Sequence, residues 1–328
     1  MKAYVYTRYG SPDVLQLQEV PTPTPSDDEV LVRIFAASVN PLDWHVMRGN
    51  PVFVRLMTGL FGPKHTILGS DFAGRVEATG RNVKQFQPGN EVFGAKGARG
   101  GGFAESVCAA EKELAPKPEN LSFEEAAAVP IAAITALQGL RDKGKIRPGQ
   151  KVLIDGASGG VGTFAIQIAR HFGAEVTAVC STRHVETARS LGAQHVIDYT
   201  REDFTRGTER YDLILGANAF HSIYAYRRML TEGGVFVGTG GGASILGMLQ
   251  GMLVAPVLSR MGRRKVGSLL ARLKQADLIF LKELLEARKI VPVIDRRYPF
   301  GEVPDAVRYL EDGHASGKVV ISVQPQQD

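Results

Sequence analysis

The sequence predicts an α/β protein with two domains, one rich in β-strands and one built on a doubly wound parallel sheet. Two observations carry this prediction. Short β-branched runs punctuated by Gly and Pro fill residues 28–115, and apolar strands alternate with helical segments from Lys151 onward. The 328 residues, 44% hydrophobic and 22% charged, have ordinary globular composition. We assign residues 1–123 and 290–328 to the β-rich domain and residues 124–289 to the parallel-sheet domain.

The β-rich half is exemplified by the run from Glu29 to Ile34, which has the β-branched content of a strand. Near Leu121 the pattern changes, because Ser122 and Glu125 have the spacing of a capping box and precede an Ala-rich helix interrupted around Pro130. We therefore place the domain boundary there.

The second half alternates strands with helices, which indicates βαβ units around a parallel sheet. A later helix, residues 277–289, is followed by two strands, at 292–294 and 318–322, that flank a short helix at 304–310. We therefore expect both chain termini to contribute to the β-rich domain. The alternating segments are 152–154, 164–171, 176–179, 185–191, 213–215, 223–230 and 235–237.

Charge and cysteine content exclude several classes of function. The formal net charge is +5, but the basic residues are scattered, so nucleic-acid binding is not expected as the main role. Cys108 and Cys180 form no CxxC pair, which argues against a disulfide framework and a structural zinc cluster. No basic stretch followed by an apolar run opens the chain, so we expect a cytoplasmic protein in a reducing compartment.

A glycine-dense turn runs from Gly156 to Gly162, between a buried strand and a helix that opens at Thr163. Glycines let the backbone approach a pyrophosphate, while the free N–H groups of the following helix favour the anion. A flexible surface turn is the alternative, but the flanking strand and helix argue against it. The candidate pyrophosphate-binding residues are Ser158, Gly159, Gly160, Val161 and Gly162.

The end of the next strand bears on which nicotinamide cofactor is bound. NAD-binding proteins usually carry a carboxylate there, whereas no acid occurs between Glu175 and Glu186. Ser181 and Thr182 can donate hydrogen bonds to a ligand, and Arg183 offers a guanidinium that suits a 2′-phosphate. We expect NADPH; the alternative is that Arg183 is an ordinary solvated residue.

A catalytic metal is not expected. Zinc-assisted alcohol oxidation needs converging Cys and His ligands, and no cysteine lies near His45 and His65 in sequence. Hydride addition without a Lewis acid suits an acceptor that delocalises the incoming charge, such as a conjugated enone or a quinone. Hydrogen-bond donors can then stabilise the enolate oxygen.

Several segments together resemble the zinc-free quinone oxidoreductase branch of the medium-chain dehydrogenase/reductase superfamily. The resemblance covers nearly the whole chain. Within this branch, the sequence is most similar to the alkenal/enone reductases and the chloroplast-envelope quinone oxidoreductase homologues. It implies a GroES-like catalytic domain, a Rossmann domain, a cleft between them, NADPH, a small lipophilic enone, enal or quinone substrate, and a homodimer formed along residues 266–270. The segments are 37–44, 69–74, 133–137, the glycine turn, 196–199 and 313–320.

The resemblance also implies site residues. Zinc-containing relatives have a ligand cysteine where Asn40 stands and a ligand histidine in the segment Gly69-Ser70-Asp71, so both ligands are missing here. Ser181, Thr182, Arg183 and Tyr199 would surround the adenosine phosphate. The remaining candidate cofactor residues are Thr135, Asn218, Gly238, Thr239, Gly240, Ser316, Gly317 and Lys318.

Asn40 and His45 are the candidate catalytic residues. The resemblance implies that His45 stands where the enone reductases usually have lysine and several quinone reductases have tyrosine. His45 can hydrogen-bond a substrate oxygen or the cofactor ribose, or deliver a proton. The alternative for His45 is a solvated loop. Asn40 offers an amide donor but equally suits a backbone cap. We expect Asp43 to be structural and Trp44 to fill the core.

An apolar insert with a basic end runs from Ile245 to Lys265. Gln250 and Pro256 interrupt it, and its length is marginal against the roughly 20 residues of a spanning helix. We interpret it as a cover for the substrate cleft, with a weak membrane-surface or partner contact as the alternative.

At the level of function, the sequence favours an enone reductase. A quinone reductase, or a non-catalytic NADPH-binding, crystallin-like or RNA-binding protein, are the alternatives.

Overall fold

The computed structural model describes residues 1–239, 262–313 and 315–324. It divides into two compact units. Unit 1 comprises Met1–Ile131, Leu273–Arg288 and Pro292–Asp328, and unit 2 comprises Ala132–Arg272 and Lys289–Val291. The predicted α/β class is confirmed, with a β-rich unit and a parallel-sheet unit.

Unit 1 is built on a mainly antiparallel sheet in which the described strands run β14-β15-β3-β4-β5-β7, with β6 paired to β3. A separate hairpin pairs β1 with β2. The sequence from both ends of the chain meets in this sheet, because β15 pairs with β3. The strands are β1 Lys2–Val5, β2 Gln16–Glu19, β3 Glu29–Val39, β4 Asp71–Thr79, β5 Glu91–Ala95, β6 Ser106–Ala110, β7 Leu114–Pro116, β14 Ile294–Pro299 and β15 Lys318–Ser322.

The helices that begin at Phe123, Gln275 and Val303 pack against strands of this sheet. Two buried clusters stabilise the unit, one around Tyr6, Met47 and Phe103 and one around Ile34 and Phe72. Burial of apolar surface on this scale is the main favourable contribution to folding. The helices are α1 Pro41–Arg48, α2 Phe53–Thr58, α3 Phe123–Ala127, α8 Gln275–Glu286 and α9 Val303–Glu311.

Unit 2 contains a parallel sheet whose described strands run β10-β9-β8-β11-β12-β13. Numbered within the unit this is the order 3-2-1-4-5-6 of dinucleotide-binding sheets, which reverses between β8 and β11. Its core contains Leu153, Ile214 and Tyr226. The elements are β8 Lys151–Asp155, α5 Gly160–His171, β9 Glu175–Cys180, α6 Val185–Ser190, β10 His195–Asp198, β11 Tyr211–Gly216, α7 Ile223–Met229, β12 Leu230–Gly238 and β13 Lys265–Ser268.

Helix α4, Pro130–Leu137, continues into a π-helical turn at Gln138–Lys143. The predicted capping box is present, because Ser122 accepts the N–H of Glu125 and Glu125 accepts the N–H of Ser122. The predicted interruption near Pro130 separates α3 from α4.

The units of the structure have different bounds from the predicted domains. Residues 124–131 and 273–288, which the sequence places in the parallel-sheet domain, lie in unit 1, and residues 290 and 291, which it places in the β-rich domain, lie in unit 2. Helix α8 packs against β7, and the side-chain amide of Gln275 donates to the carbonyl oxygens of Glu111 and Leu114. These contacts are between residues far apart in sequence, which local patterns do not reveal.

Within the described ranges, no helix is both long and apolar enough to cross a membrane. Gly240 and the insert from Ile245 to Met261 lie outside the described residues, as does His314.

Candidate cofactor and catalytic site

The glycine turn connects β8 to α5 in unit 2. Gly156 has φ +78°, and Gly159 is the N-cap of α5. A Cβ atom at Gly162 would lie 2.2 Å from the carbonyl oxygen of Gly156, so this position requires glycine. Residues 158–161 are partly exposed, and the first amides of a helix have no intrahelical acceptor. The turn therefore presents N–H groups and the positive end of the helix dipole, which suit a pyrophosphate.

Asn218 lies beside this turn, immediately after β11. A Cβ atom at Gly156 would be 2.6 Å from the Cβ of Asn218, so the two segments approach closely. Asn218 is exposed. It stands between β8 and β11, the point at which the strand order reverses and where ligands bind in open α/β sheets.

Asp155 and Tyr226 form a buried hydrogen-bonded pair next to the turn, and no sequence motif predicts this pair. Asp155, the last residue of β8, accepts a hydrogen bond from the Tyr226 hydroxyl. The Tyr226 ring stacks on Phe236 with 4.4 Å between centroids. Burial raises the pKa of Asp155 to about 6. The pair links the start of the glycine turn to α7, and its partners are too far apart in sequence for a local motif.

The ends of β9 and β10 form the second part of the candidate nucleotide site. The sequence contains no acid at the end of β9, but the structure brings one from the neighbouring strand. Asp198 is paired in register with Cys180, and its carboxylate accepts a 2.5 Å hydrogen bond from the Thr182 hydroxyl. Hydrogen bonds from Thr182 and Thr200 hold the pKa of Asp198 below its usual range. In this structure Thr182 therefore donates its hydrogen to Asp198, contrary to its expected role as a ligand donor.

The other residues expected at the adenosine phosphate lie at the same edge of the sheet. Arg183 is exposed, and its Nε donates to Nε2 of His184 at 2.8 Å. Ser181 is half-buried, and the side chain of Tyr199 is exposed. The backbone N–H of Tyr199 donates to the carbonyl oxygen of Cys180, which keeps the two strand ends together.

The end of β12 reaches this edge as well. Gly238 is paired with Gly216, and the Thr239 backbone N–H donates to the Gly216 carbonyl oxygen at 2.9 Å. Thr135 is buried on α4. Unit 2 thus brings most of the expected cofactor residues to the carboxyl ends of its parallel strands.

Unit 1 contains a buried polar cluster. Within it, the Asp71 carboxylate accepts hydrogen bonds from Ser38, from the Asn40 amide at 2.9 Å and from the backbone N–H of Ile131 at 3.0 Å. The Lys318 ammonium lies 2.6 Å from Asn40 Oδ1 and 3.3 Å from Asp71 Oδ2. The six members of the buried polar cluster are Ser38, Asn40, Asp43, Ser70, Asp71 and Lys318.

This geometry corrects two expectations. Asn40 is 2% exposed, its amide hydrogens point to Asp71 and the Ser38 carbonyl oxygen, and its Oδ1 accepts from Lys318. It is therefore not presented as a donor to substrate. Lys318 is 3% exposed, and its ammonium donates to acceptors inside the cluster rather than pointing to the surface. Both side chains instead connect β3, β4 and β15.

Asp43 is the second carboxyl group of the cluster, and it anchors α1 as expected of a structural residue. Its Oδ2 accepts the backbone N–H of Asn40, and its Oδ1 is 2.9 Å from the Ser70 hydroxyl oxygen. That hydroxyl is also 3.1 Å from the Gly97 carbonyl oxygen. Ser70 has one hydrogen for these two contacts, so both are hydrogen bonds only when Asp43 carries a proton. Burial raises the pKa of Asp43 to about 7.

The cluster does not fit a catalytic zinc ion. Zinc is held by thiolate, imidazole and carboxylate ligands, with an open coordination position. Here the polar atoms belong to amide, hydroxyl and carboxyl groups, and an ammonium group lies among them. Within residues 1–239, 262–313 and 315–324, no three His, Cys, Asp or Glu side chains are grouped closely enough to hold a metal.

His45 lies on α1, where its ring stacks on Trp44 with 3.7 Å between centroids. Its Nδ1 is 2.9 Å from the Asn50 carbonyl oxygen, which only accepts, so Nδ1 carries the hydrogen. Burial lowers the pKa of His45 below its usual value. The neutral ring then has an unprotonated Nε2, which accepts hydrogen bonds. His45 thus suits an acceptor role better than the expected delivery of its own proton. Trp44 packs against the core.

Ser316 and Gly317 precede β15 in unit 1. The Ser316 N–H donates to Asp295 at 3.0 Å. Gly317 has φ +118°, and a Cβ atom there would be 2.4 Å from the Val293 carbonyl oxygen. The glycine is therefore needed for the close approach of this turn to the strand beside it.

Comparison with known proteins agrees with this geometry. The family of alcohol dehydrogenase GroES-like domains matches residues 26–119, and the zinc-binding dehydrogenase family matches residues 191–321. A 2-methylene-furan-3-one reductase of Solanum lycopersicum is 38% identical over 99% of this chain and 80% of its own length. An NADPH-dependent alkenal/one oxidoreductase of Arabidopsis thaliana is 34% identical, over 98% of this chain and 79% of its own length.

A solved structure leads to the same group. The quinone oxidoreductase from Coxiella burnetii superposes with a TM-score of 0.87 at 32% identity, covering 99% of both chains. The parallel-sheet unit, its glycine turn and the relatives agree. The chain belongs to the medium-chain dehydrogenase/reductase superfamily, among its quinone oxidoreductases and alkenal/one reductases, and is an oxidoreductase that uses a nicotinamide cofactor.

Proposed function

We propose that the protein reduces the activated C=C bond of α,β-unsaturated ketones or aldehydes with NADPH, without zinc. The observation that carries this proposal is the buried polar cluster, whose ammonium and oxygen groups do not suit a zinc Lewis acid. The acceptor must then delocalise the negative charge itself, as a conjugated carbonyl compound does. Two relatives are named as reductases of this kind, one of a methylene furanone and one of alkenals and enones.

The residues that would hold the cofactor are those at the carboxyl edge of the parallel sheet. The amides of Ser158 and residues 160–162 would bind the pyrophosphate, while the Gly159 N–H closes the turn by donating to the Gly156 carbonyl oxygen. Arg183 would bind the 2′-phosphate. Ser181, Thr182 and Tyr199 would flank the adenosine, with Thr182 as an acceptor. Asn218, Gly238, Thr239 and Thr135 would lie toward the nicotinamide.

When bound, NADPH supplies a hydride to the β-carbon of the acceptor. The C=C electron pair then becomes an enolate, and a proton is needed at the α-carbon. Nε2 of His45 accepts a hydrogen bond and therefore orients a water molecule or hydroxyl group as the donor of that proton. Trp44, stacked on the ring, fixes the direction of Nε2.

A quinone is the second candidate acceptor, favoured by the structural similarity to the Coxiella burnetii quinone oxidoreductase. Steady-state NADPH oxidation against a panel of enones, enals and quinones, with product identification, separates the candidates. We expect saturated carbonyl products from the enones. If the protein binds NADPH but does not oxidise it with any acceptor of the panel, the proposal is contradicted and a non-catalytic role is favoured.

We also propose a homodimer and a reducing, cytoplasmic environment. Leu270, just beyond β13, is exposed, which supports an apolar contact between two copies. Cys108 and Cys180 are both free and buried, which suits a reducing compartment. Light scattering should give twice the chain mass for the wild type, and Leu270→Asp should shift the protein toward the monomer. A wild-type monomer would contradict the dimer.

A further inference from the structure

The segment of residues 52–61 exposes an unusual concentration of large apolar side chains. Val52, Leu56, Met57, Leu60 and Phe61 are each more than half exposed, from 53% at Leu60 to 100% at Phe61. The other exposed large apolar residues of the described ranges are scattered along the sequence. Single exposed apolar residues are common, but a concentrated group marks a contact surface. We call residues 52–61 the apolar segment.

The apolar segment is anchored on its inner side, so its outward side chains are held in place. Thr58 is buried, and its hydroxyl donates to the Val54 carbonyl oxygen at 2.9 Å. The Tyr9 hydroxyl donates to the Gly59 carbonyl oxygen, and the Arg55 guanidinium lies 4.8 Å from the centre of the Tyr9 ring. The outward side chains therefore project from a folded support rather than from a loose loop.

The stretch of sequence that contains the apolar segment carries basic residues and no acidic ones. No Asp or Glu occurs between Asp43 and Asp71, whereas this stretch contains Arg48, Arg55 and Lys64. Lys64 is exposed and follows the segment closely, since its N–H donates to the Thr58 carbonyl oxygen at 2.7 Å. Arg8 is exposed and precedes Tyr9, the anchoring residue. Arg48 pairs with Glu311, so Arg8, Arg55 and Lys64 provide the positive charge.

We propose that the apolar segment is a docking surface for a bilayer with anionic headgroups. Apolar side chains that project from a short helix and its following turn insert at the boundary between headgroups and acyl chains, and flanking cations bind the headgroup phosphates and carboxylates. The absence of acidic side chains from residues 44–70 removes the repulsion that such a surface would otherwise meet. The binding is peripheral and reversible, and it depends on salt.

Co-sedimentation with large unilamellar vesicles tests this surface. One set contains phosphatidylcholine alone and the other contains about 30% phosphatidylserine, a source of the anionic charge. The wild type should bind the anionic vesicles at least about tenfold more tightly than the neutral ones, and binding should weaken as NaCl is raised. Leu56→Ser/Phe61→Ser should lower binding about tenfold, and Lys64→Glu should remove the preference for anionic vesicles.

The matched control is Leu17→Ser/Phe220→Ser, which removes the same two residue types from exposed positions elsewhere. It should bind like the wild type. Circular dichroism and thermal unfolding check that each variant is folded. If Leu56→Ser/Phe61→Ser does not fold, the single variant Phe61→Ser replaces it. The proposal fails if the wild type binds neither vesicle, or if both double variants bind equally. It also fails if light scattering shows that Leu56→Ser/Phe61→Ser dissociates a dimer, because the surface would then bind a second copy.

Discussion

The glycine turn of unit 2 leaves backbone N–H groups without an intrahelical acceptor, whereas the side chains in the buried polar cluster of unit 1 hydrogen-bond one another. The turn is contiguous in sequence, and its geometry depends on missing Cβ atoms at Gly156 and Gly162. The cluster joins Asn40 to Lys318, which are 278 residues apart, and nearly every donor in it has an acceptor. A binding surface must leave groups unpaired, while a buried polar group must not. The two regions can therefore be broken in different ways.

Removing the ammonium should have the largest effect. Lys318→Met leaves the buried Asp71 carboxylate without its cation, and we expect the free energy of unfolding to fall by about 3–5 kcal/mol. Urea denaturation measures it. Lys318→Met/Asp71→Asn should recover much of this loss, because no charge then remains unpaired. An equal loss in the double variant would show that the ion pair itself is not what stabilises the cluster.

Adding a side chain to the turn should weaken cofactor binding rather than the fold of unit 1. In Gly162→Val the new Cβ would lie 2.2 Å from the Gly156 carbonyl oxygen, so the turn must open and NADPH affinity should fall about 100-fold or more. Fluorescence titration measures the affinity. Gly207→Ala, at a glycine of unit 2 outside the turn, is the control, since its Cβ would be 3.5 Å from the Phe204 carbonyl oxygen, an ordinary contact. Equal affinities for the two variants would refute the assigned role of the turn.

A smaller effect is expected at the edge of β9. Arg183→Ala removes the exposed cation assigned to the 2′-phosphate, so NADPH affinity should fall about tenfold while NADH affinity stays nearly unchanged. Arg189→Ala, an exposed arginine on α6 that pairs with Glu186, is the control. If Arg183→Ala lowers the affinities for NADPH and NADH equally, Arg183 does not bind the 2′-phosphate.

The last expected effect is a pH dependence of stability that is due to Asp43. Its pKa is about 7 in the folded state and near 3.8 when unfolded, so folding takes up a proton between these values. The contribution to stability is full below pH 4 and is lost as pH rises to 7, by up to about 1.4 kcal/mol per pH unit. Asp43→Asn keeps an acceptor for the Asn40 N–H and a donor for Ser70, so its stability should vary less with pH. Parallel curves of unfolding free energy against pH would contradict the raised pKa.

The same contrast explains how much of the molecule could be predicted from its sequence. The fold class, the glycine turn and the capping box at Ser122 were predicted because their signals lie within a few residues. The hydrogen bond between Asp198 and Thr182 could not be predicted, because the two residues stand at the ends of different strands that become neighbours only in the folded sheet. The pairing of Asn40 with Lys318 and of Asp155 with Tyr226 likewise depends on the folded topology. For Asn40, the sequence allows both a donor to substrate and a backbone cap, and neither role reveals that the amide is buried against Asp71.

The most direct test of the proposed chemistry follows the hydride. A conjugated enone is reduced with NADPH deuterated at the transferred C4 position, in the presence of a chelator, and the product is examined by NMR. We predict a saturated ketone with deuterium on the former β-carbon and a rate unaffected by the chelator. Deuterium on the carbonyl carbon of an alcohol, or a reaction abolished by the chelator, would contradict zinc-independent reduction of the C=C bond.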